Sequence, residues 1–424
     1  MAYLFLLVYI SAIFIRPHEW SGIGADTPII KLSVILTFFA YLFTQKDKKL
    51  SPQFYYLSAV GIVVVLSTVF NGWPGGVFFM LMQYLPAVLL PFIVTSGILD
   101  TANKQKGIML ICIIATLFMV HNGYTQHHSW DGSGWAVGTY LVEKIRITYV
   151  GIFQDPNDIA MFFVMTIPFT VYFIFNSNFI IKILSIGALC ALVYGVVLTN
   201  SRGGLLGLFA LSGVFFVYKY GVRKAIFAAI GAVPVLIVVM SMFRKIEQGE
   251  SANGRVEAWY AGMYEMFLHN PLLGVSKGAF TDYHTHTAHN SFILVIGELG
   301  FLGYLFWLAA LVTSIVMVAR PMLWYRKQSG KTKKKLPNKV KTEIMMNVAL
   351  FFSFVGFLTT CFFLSRSYII LLFVFMGMAV ATYYRTIKVL PELKIKDFNP
   401  YFKKIAMLTV GSIIFFFILV RVLL

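Results

Sequence analysis

The densest run of chemistry-bearing side chains is His284-Thr285-His286-Thr287-Ala288-His289-Asn290-Ser291, immediately before a long apolar stretch. Three imidazoles at this spacing admit a metal reading, with Asp282 nearby, but the spacing is loose and no second cluster supports it. A general base needs only one imidazole beside an acceptor hydroxyl, and histidine is the side chain whose ordinary pKa suits proton transfer near neutrality. His289 fits that role best, because the start of the following helix fixes it. His284, His286 and Asn290 stand beside it as auxiliary candidates, and no metal is assigned. Glu298, nine residues beyond His289, falls about half a turn out of phase with it. It is expected to pair inside the helix bundle.

Two arginines stand where a charge is expensive. Arg202 lies in Thr199-Asn200-Ser201-Arg202-Gly203-Gly204, a short turn between two apolar spans, and Arg366 in the similar turn Leu364-Ser365-Arg366-Ser367. A charge at a membrane boundary against the usual orientation is paired or used. The planar guanidinium matches phosphate oxygens, and Ser201, Gly203 and Gly204 offer hydroxyl and amide donors at a helix N-terminus. Snorkelling to lipid phosphates is the alternative for Arg202 and Arg366. Arg255 is expected in the first turn of a helix capped by Asn253 and ending before Pro271. Val256, Trp259, Tyr260, Met263 and Phe267 then form an apolar stripe that lies on the membrane surface or against other helices.

The elements that must position these residues are membrane spans. The chain has 424 residues, 59% apolar and 12% charged, with mean hydropathy +0.79, far from a soluble composition. By the rule of roughly 20 apolar residues per span, it reads as an all-α polytopic membrane protein with about 12–13 transmembrane helices. These form a single membrane domain over 1–424, with an outer loop at 122–157, a large periplasmic loop at 244–289 carrying the amphipathic helix, and a basic cytoplasmic loop at 320–342. Expected spans include 2–15, 76–98, 107–121, 224–243 and 290–319. With the N-terminus inside, 24 of the 35 Lys and Arg face the cytoplasm, as the positive-inside rule requires. The net charge of +18 is therefore mostly a topology and lipid-headgroup signal, and no nucleic-acid partner is expected. All eight histidines then fall on the outer side or its boundary. The three cysteines lie in apolar runs and supply no disulfide framework or thiolate metal site. There is no phosphate-binding loop, dinucleotide fingerprint or internal repeat.

The sequence His289-Asn290, nine residues, then Gly300-Phe301-Leu302-Gly303 follows a pattern of bacterial O-antigen ligases. With Arg202 in Ser-Arg-Gly and Arg255 in Gly-Arg-Val-Glu-Ala-Trp, the chain resembles the O-antigen ligase/polymerase superfamily of inner-membrane lipid-linked glycan transferases, over roughly residues 150–320. The resemblance implies a GT-C-like glycosyltransferase that uses no metal or other cofactor. Its partners would be a polyprenyl-diphosphate-linked glycan donor, a glycan or lipid A-core acceptor, and membrane lipids, met at the periplasmic face. Carried over, Arg202 and Arg255 hold the diphosphate, with Arg366 auxiliary, and His289 activates the acceptor hydroxyl. A polymerase of the same superfamily uses the same chemistry on another lipid-linked repeat. A flippase or exporter would need charged residues through the midplane, where the spans are nearly charge-free apart from Glu298.

Overall fold

A computed structural model describes residues 1–22, 24, 27–45, 50–224, 250–329 and 336–424. The span expected at 224–243, the opening Arg244-Lys245 of the periplasmic loop and Lys331, Lys333, Lys334 and Lys335 of the basic loop lie outside the described residues, save Lys224. The protein is an all-α polytopic membrane protein. Among the described residues ten helices are long and apolar enough to cross a bilayer, and Ala2–Phe14 (α1) and Ile29–Thr44 (α2) are shorter apolar helices. Helices satisfy their own backbone, which a lipid environment demands.

Two compact units are formed. One comprises residues 1–37, 101–248 and 341–360. Its centre is α7 (Pro156–Asn176), capped by the Asp155 side chain and buried without a break from Asp158 to Thr170. Glycines let its neighbours approach. A β-carbon at Gly195 of α8 (Phe179–Leu198) would stand 2.6 Å from Phe163, at Gly204 of α9 (Arg202–Tyr220) 2.7 Å from Ala160, and at Gly356 2.8 Å from Val164. Such small-residue contacts are how helices pack closely where no hydrophobic gain drives association. The helix α6 (Ala102–His128) continues past the apolar run expected at 107–121. Its extra turns bury one polar face: Asn122 and Gln126 are buried and donate to the Thr148 carbonyl at 3.1 and 3.0 Å.

The second unit comprises residues 38–100, 249–340 and 361–424. The expected span 76–98 is built as α4 (Val77–Tyr84), a wide turn Leu85–Leu89 and α5 (Leu90–Ile98). Pro86 and Pro91 each remove a helical donor there. The most enclosed helix is α14 (Ile370–Val389), buried from Leu371 to Tyr383. Its Gly377 admits Thr95 of α5, and Arg385 donates to the Leu99 carbonyl at 2.6 Å, satisfying the end of α5. The helix α3 (Pro52–Phe70) packs along α12 (Ser291–Ser329), where the Gln53 amide donates to Ser314 Oγ at 3.3 Å.

Candidate active site

His289 is half-buried and its backbone is left-handed, with φ 45°. That conformation costs a non-glycine residue about 1–3 kcal/mol and persists only where the surroundings impose it. Here they do so on both sides. The carbonyl of Ala288 accepts from the buried Trp259 indole at 2.8 Å. Asn290 is the cap of α12, its Oδ1 accepting from Phe292 and Ile293 N–H at 2.9 and 3.1 Å. Ser291 is locked into the Arg366 turn: its Oγ donates to the Leu364 carbonyl at 2.5 Å and accepts from Arg366 N–H at 2.9 Å, while Ser367 Oγ donates to the Ser291 carbonyl at 2.6 Å. The turn is tied back again by the Trp307 indole, which donates to the Ser367 carbonyl at 3.0 Å.

Arg255 reaches the same neighbourhood through its helix. The helix α10 (Glu250–Tyr260) begins before Asn253, so Asn253 lies inside it rather than capping it, and a wide turn Ala261–Phe267 extends it. Trp259, one turn after Arg255, is the residue bonded to Ala288. Trp259, Met263 and Phe267 of the expected stripe are buried, and Gly262 lies where a β-carbon would stand 2.6 Å from Ile293 of α12. The stripe therefore packs on a helix. Backbone ties thus bring the Arg255, His289 and Arg366 segments together within one unit.

The Gly300-Phe301-Leu302-Gly303 stretch is a break. Gly300 has φ 62° inside α12, and residues 271–276, mostly turn, lie against the gap as a strap. Val275 and Ser276 N–H donate to the Gly297 and Glu298 carbonyls at 3.2 and 3.0 Å, while Phe301 and Leu302 N–H donate to Pro271 and Leu272 carbonyls at 2.8 and 3.2 Å. The groups freed by the break are thereby satisfied. The approach is possible because both sides are glycine: a β-carbon at Gly274 would stand 2.4 Å from the Glu298 backbone, and one at Gly300 2.6 Å from that of Leu272. Asn71 at the end of α3 holds the strap from behind, donating to the Gly274 carbonyl at 2.9 Å.

Glu298 is buried inside the unit and is bonded through one carboxylate oxygen. Its Oε1 accepts from Gly278 N–H at 2.9 Å, and Lys277 and Tyr368 stand beside it. The Lys277 ammonium donates to Gln83 Oε1 at 3.2 Å and lies 5.4 Å from the centre of the Tyr368 ring. Burial holds the Lys277 ammonium below its ordinary pKa, with the Glu298 carboxylate opposing, and pushes the Tyr368 phenol well above its usual range. Tyr368 follows Arg366 by two residues, so this cluster braces the Arg366 turn. Sequence spacing gave no sign of the contacts that Lys277, Gln83 and Tyr368 make here.

Arg202 belongs to the other unit. It is half-buried and the first residue of α9. Ser201 caps that helix by accepting Gly204 N–H at 3.1 Å and donates its own hydroxyl to Asn157 Oδ1 at 2.7 Å. These two donors thus already serve the fold. Arg146 donates to the same Asn157 oxygen at 3.0 Å and to the Thr199 carbonyl at 3.3 Å. It puts a second cation at this turn that spacing alone did not reveal.

His284 and His286 close on each other. His286 N–H donates to His284 Nδ1 at 3.1 Å, and Thr285 Oγ1 lies 3.0 Å from His286 Nδ1. Both stand in the loop after the short helix α11 (Phe280–Tyr283). Among the described residues no three His, Cys, Asp or Glu side chains converge to hold a metal ion.

No curated protein matches the chain. A family model described as O-antigen ligase matches residues 186–308, a stretch that contains Arg202, Arg255, His289 and the Gly300 break and stops short of Arg366. Over those residues the chain is similar to the O-antigen ligase family.

Proposed function

We propose that the protein transfers a glycan from a polyprenyl-diphosphate carrier to an acceptor sugar, lipid A-core in the first instance, at the periplasmic face of the bacterial inner membrane. The observation that carries the reading is the pinned, left-handed His289 between the Trp259 tie and the Asn290 cap, with the Arg366 turn bonded to Ser291. A base held this rigidly suits proton abstraction in a single geometry. The imidazole takes the acceptor hydroxyl proton as the oxygen attacks the anomeric carbon. The bond to the carrier oxygen breaks, and the diphosphate leaves with the electron pair. Arg202 and Arg255 stabilise that departing charge, so neither nucleotide nor metal is needed. Direct displacement inverts the anomeric configuration.

The test is transfer by purified protein from a lipid-diphosphate glycan to candidate acceptors. His289→Ala should abolish transfer while donor binding persists; normal transfer by that variant would overturn the mechanism. In a deletion strain, loss of glycan from lipid A-core while long lipid-linked chains persist identifies a ligase. Single repeats on the core would instead identify a polymerase.

A further inference from the structure

The loop between α6 and α7 carries a half-open cleft that the transfer chemistry does not use. It has a volume of about 550 Å³ and is walled by Glu19, Val137, Tyr140, Thr148, Tyr149 and Gln154. Glu19 is buried and its charge is cancelled in place. Arg16 Nε donates to Glu19 Oε2 at 2.9 Å, the same guanidinium bonds the other carboxylate oxygen, and His18 Nε2 stands 3.3 Å from it. The guanidinium fits there because Gly151, at φ 65°, has no β-carbon; one would stand 2.0 Å from Arg16. The rear of the cleft is rigid. Trp20 Nε1 donates to Tyr149 Oη at 2.7 Å, Tyr149 Oη donates to the Ile15 carbonyl at 2.8 Å, and Trp135 meets Trp20 edge-on at 5.0 Å.

The lining selects a ligand class. Phosphate needs a cation, and the nearest one, Arg16, is spent on Glu19. An acyl chain needs an apolar wall, and this one presents a carboxylate edge, an amide, a phenol and a hydroxyl. Thr148 Oγ1 donates to the Tyr140 carbonyl at 2.8 Å and accepts from the Gln126 amide at 3.4 Å, which leaves one lone pair to accept. Neutral donors and acceptors spaced around aromatic and aliphatic faces match the hydroxyls and C–H faces of a sugar. Tyr140 and Gln154 are exposed at the mouth, and Gly138 opens onto empty space.

We propose that this cleft binds a neutral sugar residue of a glycan chain. It is a recognition site whose lining does not include His289, and it rests on the transferase reading only for why a glycan would be at hand. The experiment presents full-length protein in detergent with a panel of neutral mono- to tetrasaccharides built from hexoses, deoxyhexoses and N-acetylhexosamines, and reads saturation transfer to the sugar protons. At least one member should give a signal. Gln154→Ala and Tyr140→Ala, both at exposed positions, should each weaken it several-fold and together at least tenfold. Trp130→Ala, at a position 98% exposed and outside the lining, should leave it unchanged. Silence across the panel, an undiminished signal in the double variant of unchanged thermal stability, or displacement by inorganic phosphate would overturn the proposal. His289→Ala should bind the sugar normally. Transfer surviving in His289→Ala, with binding still lost in the cleft variants, would sink the transferase mechanism and leave the cleft standing.

Discussion

At the scale of single residues the site trades stability for geometry. His289 holds a left-handed backbone that glycine would adopt freely. His289→Gly should therefore lose transfer by about 10²–10⁴-fold while thermal unfolding shifts upward, the reverse of what a purely structural histidine would give. Asn290→Ala removes the cap and should cost about 1 kcal/mol, measured by thermal unfolding in detergent, with a parallel fall in kcat as the imidazole loses its fixed heading. A different histidine sets a pH limit. Burial pushes the His18 imidazole below its ordinary value of 6.5; Glu19 opposes the shift and Arg16 adds to it. The unfolded chain thus takes up a proton near pH 6.5 that the folded chain resists, so stability is lost as pH falls from there toward the folded pKa. Unfolding temperature should drop between pH 7.5 and 5.5, and His18→Gln should drop less. Equal drops would sink that assignment.

At the scale of elements the glycines divide by what surrounds them. Gly300→Ala places a methyl against the Leu272 backbone at positive φ and should cost well over 1 kcal/mol, with loss of transfer as the strap is displaced. Gly213→Ala in α9, where nothing lies within 4 Å, should be neutral or stabilising by up to about 1 kcal/mol. Paired unfolding curves decide between these outcomes. The sequence made Gly300 visible as a spacing from His289, but not as a break, because a span apolar on every face carries no period to interrupt. Nor could it show that Pro271–Ser276 fills the gap. The end of α6 is hidden in the sequence for the same kind of reason. Asn122 and Gln126 read as loop residues, yet both are buried against Thr148, 26 and 22 residues on. Arg146 at the Arg202 turn was equally hidden, since Asn157 and Thr199, its partners, lie 11 and 53 residues away.

At the scale of the whole molecule, composition was enough to announce a multi-pass membrane protein, and lysine and arginine placement to propose its orientation. That orientation is testable by labelling. In a Cys190→Ser background, where the two other cysteines are buried, Trp130→Cys should react with a membrane-impermeant maleimide on intact spheroplasts, and Lys396→Cys only after permeabilisation. The opposite pattern would invert the topology and move His289 to the cytoplasm. The broken helix has a consequence of its own at this scale. The limb Ser291–Leu299 is joined to the long limb Phe301–Ser329 through a single left-handed glycine, and its heading is set by the strap and the Arg366 turn. Bilayers thicken and thin, and spans answer by tilting. The strap bonds both limbs across the Gly300 joint, so the angle between the tilting span and the limb that carries the imidazole is held by four backbone hydrogen bonds.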